Sequence, residues 1–156
     1  MSKPNKNLQL WRRLNGNSAG RWLFGKLVGF AAPYFRTIKP RFLTLEPGHV
    51  EIHMRNRRAV QNHLQSVHAI AMCNAAELVG GLCLDVSLDS RFRWIPVGMT
   101  VQYLKMAKTD MVARCQPGSA QFDQSGDVVM PVGVFDTNGV EVFHADITMR
   151  VSQKRR

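Results

Sequence analysis

VHAIAMCNAAELVGGLCL, residues Val67 to Leu84, decides how the rest of the chain must fold. Of the sixteen residues from Ala69 to Leu84 only Asn74 and Glu77 are polar, so the segment predicts a helix covered on nearly every side. It is too short for a bilayer span, which needs about 20 apolar residues. Its small residues (Ala69, Ala71, Ala75, Ala76, Gly80, Gly81) would let other backbone come close. A core helix wrapped by a sheet follows. Glu77 is the exception inside it, because a carboxylate removed from water must be paired, hydrogen-bonded or neutralised, and such groups often mark functional sites. A structural Glu paired with an Arg at a subunit interface is the plainer alternative.

On either side of the helix the pattern changes to strands. Upstream, Arg41 to Leu45 and His49 to Met54 are separated by Pro47-Gly48, and the second alternates Val50, Ile52, Met54 against His49, Glu51, His53. His49 and His53 share a face but lack a third ligand at metal spacing, so they predict a solvent-facing strand and no metal. Downstream, Asp85 to Phe92 reads as a polar loop. Strands then follow at Trp94–Met106, Met111–Gln116, Asp127–Phe135 and Val140–Val151, with Asp136-Thr137-Asn138-Gly139 as a hairpin turn. Two strands, one long buried helix and a run of antiparallel strands make an α+β order, most economically a curved antiparallel sheet around a central helix.

The first 39 residues read as a basic helical segment ahead of a domain at 40–156, the two forming one globular unit. Met1 to Asn7 is expected to fray. A short helix, a turn at Gly16 to Gly20 and a second helix from about Ser18 follow, with Leu23, Leu27, Phe30 and Tyr34 on one stripe and Pro33 near the end. A basic amphipathic helix with Trp and Phe can lie on an anionic membrane, giving peripheral contact. Packing on the domain with Arg and Lys left in water is the commoner fate and the favoured reading.

The formal net charge of +10 is uneven. Residues 1–45 hold nine Lys or Arg and no acid, leaving 12 basic against 11 acidic groups in the other 111 residues. With a neutral body and no recognition motif, nucleic acid ranks low as a partner. Three cysteines, an odd number with two in the apolar helix, suggest free thiols in a reducing compartment. No convincing signal-peptide pattern precedes them, so the expected location is cytoplasmic. Lys154, Arg155 and Arg156 form a solvated tail.

Asn62-His63-Leu64-Gln65-Ser66-Val67-His68-Ala69, followed eight positions later by Glu77, resembles the active-site signature of hotdog-fold acyl-CoA thioesterases. The likeness is to the phenylacetate-degradation type, in a branch with His-Ala-Ile where that type has His-Gly-Gly, and it reaches the strand Val101 to Ala107. The resemblance implies a hotdog fold over roughly residues 40–152, to which the N-terminal helices read above are an addition, and no cofactor is expected. It implies Glu77 as nucleophile or general base, the Ala69 N–H as oxyanion donor, Asn62 as an orienting group, and His68 as a residue that shapes the loop or donates a hydrogen bond. A hydroxyl that some members place one turn after the carboxylate falls on Gly81. The partner would be an acyl-CoA or acyl-carrier-protein thioester, with Arg91, Arg93, Lys105 and Lys108 as candidates for holding CoA phosphates.

Geometry adds a constraint. Ala69 and Glu77 are about 12 Å apart along one helix, too far for both to act on one carbonyl. If both act, the site is shared across a two-fold homodimer, alone or within a dimer of dimers. Two rivals stand beside the hydrolase: a dimer that binds acyl-CoA or acyl carrier protein without turnover, and a hydroxyacyl dehydratase built on His63 and Glu77, whose usual Pro-Gly helix start is missing. Cys73 has no base at helical spacing and reads as packing.

Overall fold

The computed structural model describes residues 5–118 and 122–154. Met1–Pro4 and the last two residues of the basic tail lie outside the described residues. Strands β1 (Arg41–Glu46), β2 (His49–Met54), β3 (Phe92–Tyr103), β4 (Met111–Cys115), β5 (Gly126–Phe135) and β6 (Glu141–Gln153) form one antiparallel sheet in the order β1-β2-β4-β5-β6-β3. The alternation read in β2 is real: Val50, Ile52 and Met54 are buried, and His49, Glu51 and His53 are half-buried on the other face. The hairpin turn joins β5 to β6, closed by the Asp136 N–H on Val140 O and the Gly139 N–H on Asp136 O.

Helix α3 (Ala69–Ser87) lies in the concavity of the sheet and packs against all six strands. This is the hotdog fold. By length and composition α3 could pass for a membrane span, yet most of it is buried. It runs three residues into the stretch expected as loop, and β3 begins at Phe92 and ends at Tyr103, short of Met106. The carboxylate of Asp85 explains the extension. It accepts from Asn5 Nδ2 and Asn7 Nδ2, both at 2.9 Å, and lies 3.4 Å from Trp94 Nε1, so the last turn is tied to two other parts of the chain.

For Asn5 to Asn7 the same bonds correct the expectation of fraying. Asn5 caps α1 (Lys6–Leu14) through bonds from the Asn7 and Leu8 amides, while its own Nδ2 donates to Asp85. Helix α2 (Ser18–Ala31) follows, capped by Asn17, and leads into a 3-10 turn at Pro33–Ile38. Trp11, Phe24 and Phe42 form an edge-to-face cluster with centroids 4.8–6.2 Å apart, joining α1, α2 and β1.

Helix α2 packs on the domain as favoured, but through the opposite face. Phe24, Gly25 and Gly29 are buried, whereas the stripe Leu23, Leu27, Phe30 and Tyr34 is exposed. Close approach fixes that choice. A Cβ at Gly25 would stand 2.5 Å from Pro40 O, and one at Gly29 would stand 3.2 Å from Arg36 Cβ. Only a glycine face lets the helix approach this segment so closely, so the large side chains are left outside.

Candidate functional site

Along α3, residues four apart share a face, and one such row is Ala69, Cys73, Glu77, Gly81 and Asp85. Its first three members are only half-buried, so the helix is less completely covered than its sequence implies. The row faces the inner side of β3 at both ends. Tyr103 lies beside Cys73, and Trp94 lies over Gly81 and reaches Asp85. Glu77 therefore sits between them, opposite the stretch of β3 that carries Met99 and Val101. Among the described residues no hydrogen bond or ion pair reaches its carboxylate.

At the other end of the row the helix start is prepared by its capping loop. His68 is the N-cap, and its Nδ1 accepts from the Ile70 N–H at 3.1 Å. An Nδ1 that accepts carries no proton, so the neutral ring has its N–H on Nε2. The Ala71 and Met72 amides both bond to His68 O, which leaves the Ala69 N–H as the one first-turn donor without an acceptor among the described residues. The positive end of the helix dipole reinforces it.

Asn62 organises the preceding loop. Its Oδ1 accepts from the Leu64 N–H (2.9 Å), the Ser66 N–H (3.3 Å) and the Ser66 hydroxyl (3.1 Å), and its backbone N–H donates to Ser66 O. Those donors fix the amide orientation, so only Nδ2 remains for a ligand. His63 is exposed at the loop tip beside Leu64. A groove of about 400 Å³ runs from this helix start, lined by His68, Ile70, Asn74, Val60 and Tyr34.

The four expected phosphate-binding cations are not brought together. Arg91 pairs with Asp89 at 2.9 Å, and Arg93 Nε donates to Ser152 Oγ at 3.3 Å, both at the start of β3. Lys105 and Lys108 lie past its far end. Arg93 and Lys105 stand twelve positions apart along an extended chain, roughly 36–40 Å, beyond the reach of one phosphate cluster within a chain.

Sequence reasoning missed Trp94 and Tyr103 as members of the site. Both face the helix because the bulge between Pro96 and Gly98 shifts the alternation of β3, and no local pattern in the sequence announces that shift. At Cys73, burial pushes the thiol's pKa up, and the nearby Cys73 sulfur pushes the Tyr103 hydroxyl up. Neither is poised to ionise at neutral pH, which agrees with a packing role for Cys73. His49 and His53 are engaged by Glu51 at 3.0 Å and Asp110 at 3.2 Å. Burial alone would raise the Glu51 carboxyl, but bonds from His49 and Arg114 outweigh it and hold the group below its ordinary value.

Residues 20–151 match the family model described as a domain of unknown function, DUF4442. The chain belongs to that family. A crystal structure from a structural-genomics programme is 40% identical to this DUF4442 chain, covers 95% of it and 98% of its own length, and superposes with a TM-score of 0.86. A Pseudomonas aeruginosa protein of unknown function, named a probable thioesterase, is 24% identical over 82% of this chain and 92% of its own, with a TM-score of 0.75. A Streptococcus mutans protein solved with acetyl-CoA bound is 20% identical over 75% and 91%, with a TM-score of 0.63. At those lower identities the likeness establishes the shared fold. No curated protein matches the chain.

Proposed function

We propose that this DUF4442 chain hydrolyses an acyl-CoA thioester to the free acid and CoA, as a dimer with two shared sites. The observation that carries the reading is the pairing of an unpartnered, half-buried carboxylate with an unpartnered helix-start amide on one row of α3. Glu77 takes a proton from water as the water oxygen bonds to the thioester carbon, or it attacks that carbon itself. The Ala69 N–H holds the negative oxygen that forms, and the C–S bond then breaks with the leaving sulfur taking up a proton; after direct attack, water hydrolyses the acyl–Glu77 anhydride to the free acid. The thioesterase name of the Pseudomonas neighbour and the acetyl-CoA bound by the Streptococcus neighbour support this substrate class.

The shared site rests on the roughly 12 Å between Ala69 and Glu77 and on β3 itself. That strand is the edge of the sheet for all twelve of its residues, and Ile95, Val97, Met99 and Tyr103 on it are exposed. A long apolar edge with unpaired backbone is a ready pairing surface. Antiparallel pairing of two such strands brings the Arg93 end of one chain beside the Lys105 end of the other, which would unite the separated cations on one CoA.

One observation favours binding without turnover: Trp94 fills the position over Gly81 where some relatives have a hydroxyl. A panel of acyl-CoA thioesters, followed by free-thiol release, decides between the two. Hydrolysis by the wild type, reduced at least a hundredfold in Glu77→Gln with acyl-CoA affinity retained, is the expected result. Acyl-CoA binding with no thiol release from any member of the panel overturns the hydrolase reading.

A further inference from the structure

The side chains that α2 leaves outside form a continuous apolar stripe. Trp22 (56% exposed), Leu23, Leu27, Phe30 (82%) and Tyr34 (66%) succeed one another along the helix and onto the 3-10 turn. Beside the stripe, between α2 and the ends of β1 and β2, lies a cleft of about 460 Å³ with Trp22 in its wall. Lys26, Arg36, Lys39, Arg41 and Arg55 line it, and among the described residues no carboxylate pairs with any of them. Its one acid, Asp110, is held by His53 at 3.2 Å and by the Asn56 N–H at 2.8 Å. Lys26 lies over the Trp22 ring, 5.2 Å from its centroid.

We propose that this face docks on an anionic lipid bilayer. The cleft cations receive headgroup phosphates and carboxylates, while Trp22, Leu27 and Phe30 enter the boundary between headgroups and acyl chains. A small soluble anion would use the cleft but leave the stripe unexplained. A second copy of this chain, meeting it face to face, would set five unpaired cations against five others, the arrangement that like-charge repulsion opposes. A bilayer satisfies both features at once, and the proposal stands whether or not Glu77 is catalytic.

The test uses the full chain and sedimentation with vesicles of phosphatidylcholine alone or with 30% phosphatidylserine. The expected result is binding to the serine-lipid vesicles, lost at high salt, with a blue shift of indole fluorescence that disappears in Trp22→Phe. Neutralising Lys26, Lys39 and Arg41 together to Gln should weaken partition roughly a hundredfold, at about fivefold per cation. Phe30→Ser, at a site 82% exposed, should weaken it several-fold with the fold intact. No binding at low salt overturns the proposal. So does binding unchanged by Phe30→Ser, which would mean charge adsorption only. A change in oligomeric state on Phe30→Ser without vesicle binding would instead assign the stripe to a protein contact and overturn it as well.

Discussion

The Trp94 indole lies across Gly81 so closely that a Cβ there would stand 2.7 Å from ring atom Cη2. The position one turn beyond Glu77 is therefore glycine because a ring occupies the space that a side chain would need. Gly81→Ser should destabilise the protein by about 1–3 kcal/mol through overpacking. Combining it with Trp94→Phe, which removes the approaching ring atoms, should recover much of that loss in a double-mutant cycle read by denaturant unfolding. Equal cost in both backgrounds would show that the ring is not what excludes the side chain.

The trans arrangement has its own measurement. Asn62→Asp is the better disabling change at that position, since a carboxylate keeps the acceptor for Leu64 and Ser66 and removes only the Nδ2 donor. Asn62→Ala would strand those donors at a cost of about 1–3 kcal/mol. Mixing Glu77→Gln chains with Asn62→Asp chains, each nearly inactive alone, should restore activity as subunits exchange. Additive inactivity at full exchange would place the whole site within one chain.

His144 offers a pH-dependent check on the outer face of the sheet. Its hydrogen bond to Glu141 (2.7 Å), against the opposing effect of burial, raises its pKa above 6.5, and Asp146 at 3.6 Å adds to this. A proton held more tightly in the folded state stabilises fully below the unfolded value near 6.5, and the benefit fades as pH rises through the raised folded value. His144→Gln should therefore be less stable than wild type in acid and equal to it at alkaline pH. The difference should stay below about 1 kcal/mol, because the pair is partly exposed. A deficit that grows with pH would contradict the sign.

Much of the fold was legible because it rests on local periodicity. The alternation of Val50, Ile52 and Met54 and the apolar run of α3 state their own burial, and β2 begins and ends where its pattern does. The α2 stripe misled for a physical reason. A 3.6-residue period marks a large apolar face, but the contact was settled by glycines whose lack of side chain lets the helix approach Pro40 and Arg36. Glu77 stood out as a lone charge in an apolar run, whereas Ala69 entered only through the family resemblance at the helix start. The ring over Gly81, the Tyr103 contact at Cys73 and the wide separation of Arg93 from Lys105 depend on how β3 lies along α3, which no local pattern specifies.

The clamp between Asn5 and Asp85 also orders events in time. The two residues are 80 positions apart, so during translation at about 5–20 residues per second the N-terminal helix waits roughly 4–16 s for the residue that will fasten it. Through that interval Trp11, Phe24 and the outer stripe of α2 are exposed together on a nascent segment carrying nine positive charges and no negative one. Such a segment will seek whatever polyanionic or apolar surface lies near the ribosome exit before it can settle against its own sheet.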